Sequence, residues 1–359
     1  VIKLLIVEDS LTVSGYLKYI FSEDPEITVV GVVGHGKEAI EFVKKNKVDV
    51  ITMDIDMPVM NGLQATKIIM SENPKPIIIL TSSRNAKKDE TSMEALAAGA
   101  LTVIQKPFGF GHKMEPLRTA GMVKIVKNLS KVKVITRKFN GADYSNKIPQ
   151  SGIAKANKKP KAEELKNKKL VAIGISSGGP QVLAKIFSEI DEDFPLPILV
   201  VQHITKGFIN TMVSWLDDIL KIKVKVATQG ELLKPGKVYF APDEFNMGTK
   251  SNRIELTRCT PESKICPSVK YLFNNLSEEK SKHSIALILT GMGSDGSAEI
   301  KKLKEAGALT IAQDQKSALV HGMPGEAIKL GGIDYIMDTS NITALFKEIA
   351  NINSEINKK

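Results

Sequence analysis

Two groups of residues in this 359-residue chain have the types and spacing to do chemistry. The first surrounds Ser176. Gly174-Ile175-Ser176-Ser177-Gly178 follows G-x-S-x-G, the strand-to-helix turn that exposes a nucleophilic serine. Such a hydroxyl needs a base and a group that orients the base. His203 directly follows the next apolar strand pattern, and Asp295 lies in the Gly-rich loop Gly291–Gly296 after a third. Strand ends of a parallel sheet share one edge, so Ser176, His203 and Asp295 can converge as nucleophile, base and orienter. Spacing alone leaves other readings open. A Gly/Ser-rich turn also suits a phosphate cradle or a plain tight turn, although this one lacks the Lys of a P-loop and the spacing of G-x-G-x-x-G. His321, in Val320-His321-Gly322, is a rival base, and Asp295 can be read as a helix cap.

The second group is acidic. Glu8-Asp9 ends a first strand pattern and Asp54 ends a third. Thr81-Ser82-Ser83 ends a fourth, and Lys106-Pro107 a fifth. Carboxylates gathered at one sheet edge repel one another and call for a cation. A small hard ion with oxygen ligands, Mg²⁺, fits best. The Thr81 hydroxyl and the Lys106 ammonium can then hold the oxygens of a phosphoryl group on Asp54.

Both groups need α/β scaffolds. Strand and helix patterns alternate five times from Val1 to about Ser130, which predicts a parallel sheet covered by helices, with its working crevice at the carboxyl ends of the strands. From Leu170 onward the alternation resumes. Leu170–Ile175, Leu196–Val201, Ser284–Thr290 and Leu309–Gln313 read as buried strands, and Asn246–Thr257 as a hairpin. Pro180 suits the first position of the helix that follows Ser176.

The first segment resembles the two-component receiver domain along almost its whole length. The residues that carry this are VEDS with Glu8 and Asp9, MDIDMPVMNGL with Asp54, LTSS with Thr81, and QKPF with Lys106. The resemblance implies Asp54 as phosphoacceptor and a histidine kinase as donor. It implies Glu8, Asp9, Asp54 and the main-chain carbonyl of Asp56 as Mg²⁺ ligands, Thr81 and Lys106 as switch residues, and a cis Lys106–Pro107 peptide. From about Leu170 to Met337 the motifs GISSGGP, VVQHI, VYFAPDEFNM, CPSVKYLF, LTGMGSDG and AQDQKSALVHGMP resemble the catalytic domain of the chemoreceptor protein-glutamate methylesterases, the CheB family. That resemblance implies the triad Ser176, His203 and Asp295, with Met292 and Ser177 beside the oxyanion. Methylated chemoreceptors are the implied substrate. Deamidation of receptor glutamines is an implied second activity, and the esterase itself needs no cofactor. Departures from the family pattern are Ile175 and Ser177 around the nucleophile, the loop Asp243–Asn246, and His321.

The expected architecture is therefore a flavodoxin-like (βα)5 receiver over residues 1–130, a basic flexible linker over 131–168, and a doubly wound, mostly parallel α/β hydrolase-like catalytic domain over 169–359. The net charge of +10 supports the linker. Twelve Lys and Arg against three acids between Lys131 and Lys169 carry nearly all of the excess, in a polar stretch with little apolar periodicity. A solvated tether explains this charge without nucleic acid, and no helix-turn-helix pair is evident, which argues against a DNA-binding regulator. A non-catalytic module whose Gly-rich turns bind an anion is the other alternative. No apolar run approaches the ~20 residues of a membrane span, so no membrane insertion is expected. Cys259 and Cys266 sit in no zinc or redox spacing, which predicts reduced thiols in a cytoplasmic protein.

Overall fold

A computed structural model describes residues 1–81, 86–107, 109, 115–132, 134, 155–156, 159–276 and 278–356. Ser82, Ser83 and most of the expected linker lie outside the described residues. The chain divides into two compact units, Val1–Ala142 and Asp143–Lys359.

The first unit alternates strands and helices in chain order: β1 (Ile2–Val7), α1 (Leu11–Ser22), β2 (Ile27–Val33), α2 (Gly36–Lys45), β3 (Val50–Asp54), α3 (Gly62–Glu72), β4 (Ile77–Thr81), α4 (Ala86–Ala97), β5 (Thr102–Gln105) and α5 (Glu115–Leu129). The five strands form one parallel sheet in the order β2-β1-β3-β4-β5. The central strands β3 and β4 are buried along their whole length, which is why they read as unbroken apolar runs. Helix starts follow local chemistry. Ser10 caps α1, and Asn61 and Gln64 form a reciprocal capping box on α3.

The second unit continues with β6 (Lys155–Ala156), α6 (Ala162–Leu165), β7 (Leu170–Ile175), α7 (Gly179–Phe187), β8 (Ile198–Gln202), α8 (Ile209–Ile219), β9 (Lys223–Val226), β10 (Lys237–Phe240), β11 (Phe245–Lys250), β12 (Arg253–Arg258), α9 (Val269–Asn275), α10 (Glu278–Lys282), β13 (Ser284–Ile288), α11 (Ser297–Glu305), β14 (Leu309–Gln313), α12 (Met323–Lys329), β15 (Tyr335–Met337) and α13 (Thr339–Ile356). Eight strands form a parallel sheet in the order β6-β15-β14-β13-β7-β8-β10-β9, and β11 and β12 form the expected hairpin. Strand order reverses direction around β7, whose neighbours are β13 and β8. That is the topological switch point, where a crevice opens at the carboxyl ends. Alternate residues of β7 face opposite layers. Leu170 and Ala172 join the core formed with α9, α11 and α12. On the other side α7 packs on α13, with Phe346 between Phe187 and Phe194.

Two expectations are corrected here. Residues 155–168, expected in the flexible linker, belong in part to the second sheet. Lys155 and Ala156 pair with Tyr335 and Ile336, Leu165 is 3% exposed, and the Tyr335 hydroxyl donates to Glu164 Oε2 at 2.9 Å. A two-residue strand and a one-turn helix are too short for hydrophobic periodicity to reveal. Cys259 and Cys266, expected as free thiols, form a disulfide with their Cα atoms 6.3 Å apart. The hairpin brings the end of β12 beside the segment that leads into α9, and proximity rather than sequence spacing pairs the sulfurs.

Candidate active site and phosphoacceptor site

Ser176 follows β7 directly and His203 follows β8. The ladder aligns Ile175 with Gln202, so the two side chains leave neighbouring strands side by side. His203 N–H donates to Ile175 O at 2.9 Å and Ser176 N–H to Thr290 O at 2.9 Å, which ties the serine to both adjacent strands. Gln202, 2% exposed, adds a second brace. Its Nε2 donates to Ser176 O at 2.9 Å and to His203 O at 2.8 Å. Thr290 Oγ1 donates to Ser177 O at 2.9 Å and accepts from Val320 N–H at 3.0 Å. Gly291 permits the contact between loops, since a Cβ there would lie 2.6 Å from Ser176 Cβ. The next residue, Met292, is thus held near the serine turn.

Asp295 is the most tightly held side chain of the group. His203 Nε2 donates to its Oδ2 at 2.9 Å, Val269 N–H to Oδ2 at 2.7 Å, Ser268 Oγ to Oδ1 at 3.0 Å and Lys270 N–H to Oδ1 at 3.1 Å. Burial works to raise this carboxyl, but the bond and charge of His203 and the two main-chain donors outweigh it and hold it below the ordinary Asp range. The carboxylate does not cap the helix that follows it: Gly296 occupies the N-cap of α11. It meets the start of α9 instead, 26 residues back in the chain. Val269 reaches it because a Cβ at either Gly174 or Gly296 would fall 2.3 Å from Val269 Cγ1, so α9 can seat only over glycine.

His321, the rival base, is turned elsewhere. Its Nε2 donates to Gln313 O at 3.2 Å, and burial holds its imidazole below the ordinary His value. The Asp243–Asn246 loop serves the site's frame. Asp243 Oδ2 accepts from Gly207 N–H at 2.7 Å, and Asn246 Oδ1 accepts from Ser268 N–H at 2.9 Å. Gln202, Thr290 and Ser268 were not singled out by sequence reasoning, although all three stand within its quoted motifs.

In the first unit, Glu8, Asp9 and Asp54 bring one carboxylate oxygen each within 4.8 Å of the others, a set that suits a hard divalent cation. Lys106 Nζ lies 2.7 Å from Glu8 Oε2 and 3.0 Å from Asp54 Oδ2. Burial raises the Glu8 and Asp54 carboxyls above their ordinary values despite that ammonium, and the charge of Asp54 adds to the effect on Glu8. Thr81, buried at the end of β4, accepts Lys106 N–H through its carbonyl at 2.8 Å. Asp56 follows in the exposed loop after β3. The Lys106–Pro107 peptide, expected cis, is not; the cis peptide among the described residues is Cys266–Pro267.

The family model of the response regulator receiver domain matches residues 4–118, and that of CheB methylesterase matches residues 171–346. A protein-glutamate methylesterase/protein-glutamine glutaminase of Nitrosospira multiformis is 42% identical over 96% of this chain and 95% of its own length. A second, from Syntrophus aciditrophicus, is 40% identical over 97% of this chain and 98% of its own length. Among solved structures, the CheB methylesterase catalytic domain of Thermotoga maritima is 35% identical, with a TM-score of 0.48, over 51% of this chain and 98% of that one. The chain belongs to the CheB family of methylesterases, hydrolases that carry a response regulator receiver domain ahead of the catalytic domain.

Proposed function

We propose that this chain removes methyl groups from γ-glutamyl methyl esters of chemoreceptors and is switched by phosphorylation of Asp54. The observation that carries the reading is the His203–Asp295 bond at the strand ends that flank Ser176. Ser176 Oγ attacks the ester carbonyl while His203 takes its proton. Nε2 is engaged by Asp295, so Nδ1 is the nitrogen left for that transfer. Asp295 fixes the ring and stabilises the imidazolium. The main chain at Met292, with Ser177 beside it, would stabilise the developing oxyanion, and the start of α7 adds its positive end. The proton then passes to the departing methoxide, and methanol leaves. Water, deprotonated by His203, opens the acyl-enzyme to free glutamate and Ser176. A glutamine amide is nearly isosteric with the ester, so the same residues deamidate glutamine and release ammonia, the second activity in the names of the relatives.

The receiver works by charge. Glu8, Asp9, Asp54 and the main-chain carbonyl of Asp56 would hold Mg²⁺, which when bound neutralises the phosphoryl oxygens. Lys106, already paired with Asp54, and the Thr81 hydroxyl take up the phosphoryl group on Asp54. A histidine kinase is the donor. Among the described residues no helix is long and apolar enough to cross a membrane. We place the enzyme on the receptor's cytoplasmic segments, where the Cys259–Cys266 bond would be open to reduction. We place the receiver over residues 1–130 and the catalytic domain from about Lys155 onward. Methanol release from methylated receptor membranes tests the proposal. Ser176→Ala should abolish it, a loss of about a thousandfold or more, without unfolding the chain. Release equal to that of the unchanged protein would remove Ser176 as the nucleophile.

A further inference from the structure

The carboxylate of Asp295 depends on residues far from it in sequence. Three of its four donors come from Ser268, Val269 and Lys270, and of these three the serine's alone is a side chain. Ser268 is fixed from several sides. Its N–H donates to Asn246 Oδ1 at 2.9 Å, and its hydroxyl accepts from Tyr271 N–H at 3.4 Å as the N-cap of α9. Two residues earlier, Cys266 is bonded to Cys259, which follows β12 and whose N–H donates to Glu244 O at 2.9 Å. The exposed loop between the cysteines is thus stapled to the hairpin at the point where the chain turns into α9. Residues 260 to 265 of that loop are exposed throughout, so the disulfide is the tie that holds its end beside Ser268.

We propose that Ser268 is a positioning residue of the esterase, acting through Asp295, and that the Cys259–Cys266 disulfide holds it in place. The hydroxyl sets the direction of the carboxylate and draws charge toward Oδ1, away from the oxygen that faces His203. A hydrogen bond to a charged group is among the stronger ones a protein makes, so its loss reaches the imidazole. Other charges near the site are engaged with one another: Lys270 Nζ lies 4.0 Å from Glu299, and Lys206 pairs with Glu244.

The inference rests on the esterase reading, and one experiment separates the two. Methanol release by the full chain, with phosphodonor present, is measured across pH for four proteins: unchanged, Ser268→Ala, Ser268→Thr, and Cys259→Ser/Cys266→Ser. An unchanged protein that releases no methanol means that the esterase reading has failed, and this inference with it. With an active unchanged protein, Ser268→Ala should lower kcat about tenfold and leave KM within about twofold. It should also move the acid limb of kcat/KM to higher pH. Removing the donor leaves more negative charge facing the ring, which favours the imidazolium. Loss of a helix cap alone would lower the unfolding temperature without moving that limb. Ser268→Thr keeps a hydroxyl and should keep the rate and the limb. The double cysteine variant should lose rate and shift the limb in the same direction as Ser268→Ala. Ser268→Ala with unchanged kcat and limb overturns the proposal, as does a double cysteine variant equal to the unchanged protein.

Discussion

Gln202 turns adjacency into a fixed pair. One amide nitrogen donates to the carbonyls of both Ser176 and His203, so the turns that carry nucleophile and base cannot drift apart. Gln202→Leu preserves bulk but removes the donor that the two carbonyls share, leaving Ser176 O with Gly179 N–H. We expect a stability loss of about 1 kcal/mol by urea unfolding. A drop in kcat of up to about a hundredfold should accompany it, as for a misplaced catalytic group. An unaltered kcat would show that the ladder alone sets the geometry. The two histidines give a second test. His203→Ala should cut methanol release about a thousandfold or more, whereas His321→Ala should keep most of it, because His321 is committed to Gln313 O. Full activity in His203→Ala would remove it as the base. At this scale the sequence was informative where chemistry coincided with a strand end. Ser176 and His203 each close an apolar run and could be read directly. Ser268 and Asp295 are 27 residues apart, and nothing in the local pattern of either announces the other. The cysteines were misread for a related reason: a separation of seven residues fits a loop staple as well as two free thiols, and only the path of the β11–β12 hairpin decides.

The elements explain why these contacts are possible. Val269 packs against glycine on both sides, at Gly174 in β7 and at Gly296 ahead of α11, so α9 approaches closely enough for its first N–H groups to reach Asp295. Both glycines stood in quoted motifs, and their size was legible only as a turn signal. Periodicity did recover the long elements, including the order of strands and helices in the receiver, because fully buried parallel strands write themselves as apolar runs. The acidic edge of the receiver carries its own energetic signature. Burial raises the Asp54 and Glu8 carboxyls, so the folded domain binds protons at these sites more tightly than the unfolded chain does. The associated stability is present below the unfolded carboxyl values and is lost as pH rises through the raised ones. At neutral pH, with a chelator present, the charged edge should therefore cost stability. Asp54→Asn removes one charge and should raise the receiver's unfolding free energy by about 1 kcal/mol at pH 7. The advantage should shrink as the pH is lowered toward 4. Calorimetry across pH would show this, and a variant less stable than the unchanged protein at pH 7 would mean that the Lys106 pairing outweighs burial.

For the whole molecule, the question is what one polypeptide gains by joining a phosphoacceptor to an esterase. Phosphorylation of Asp54 matters to ester hydrolysis only if the receiver changes the rate, and a catalytic fragment is the direct comparison. Where that fragment must begin follows from the structure. A start at Leu170 cuts away β6, α6 and Leu165, and it removes Glu164 from the Tyr335 hydroxyl. Burying a leucine is worth about 2 kcal/mol, so this shorter fragment should unfold at lower denaturant than one that begins at Lys155. Activity comparisons made with it would mix loss of stability with loss of control. The fragment 155–359 keeps every strand of the second sheet. We expect it to hydrolyse receptor ester faster than the unphosphorylated full chain, and to ignore a small-molecule phosphodonor. The full chain should respond to the donor with a higher rate, and its Asp54→Asn variant should not. Such a pattern would mean that the unmodified receiver restrains the esterase and that phosphorylation relieves the restraint. Equal rates for the fragment and the unphosphorylated full chain would rule out restraint, leaving the receiver to act by bringing the enzyme to its receptor.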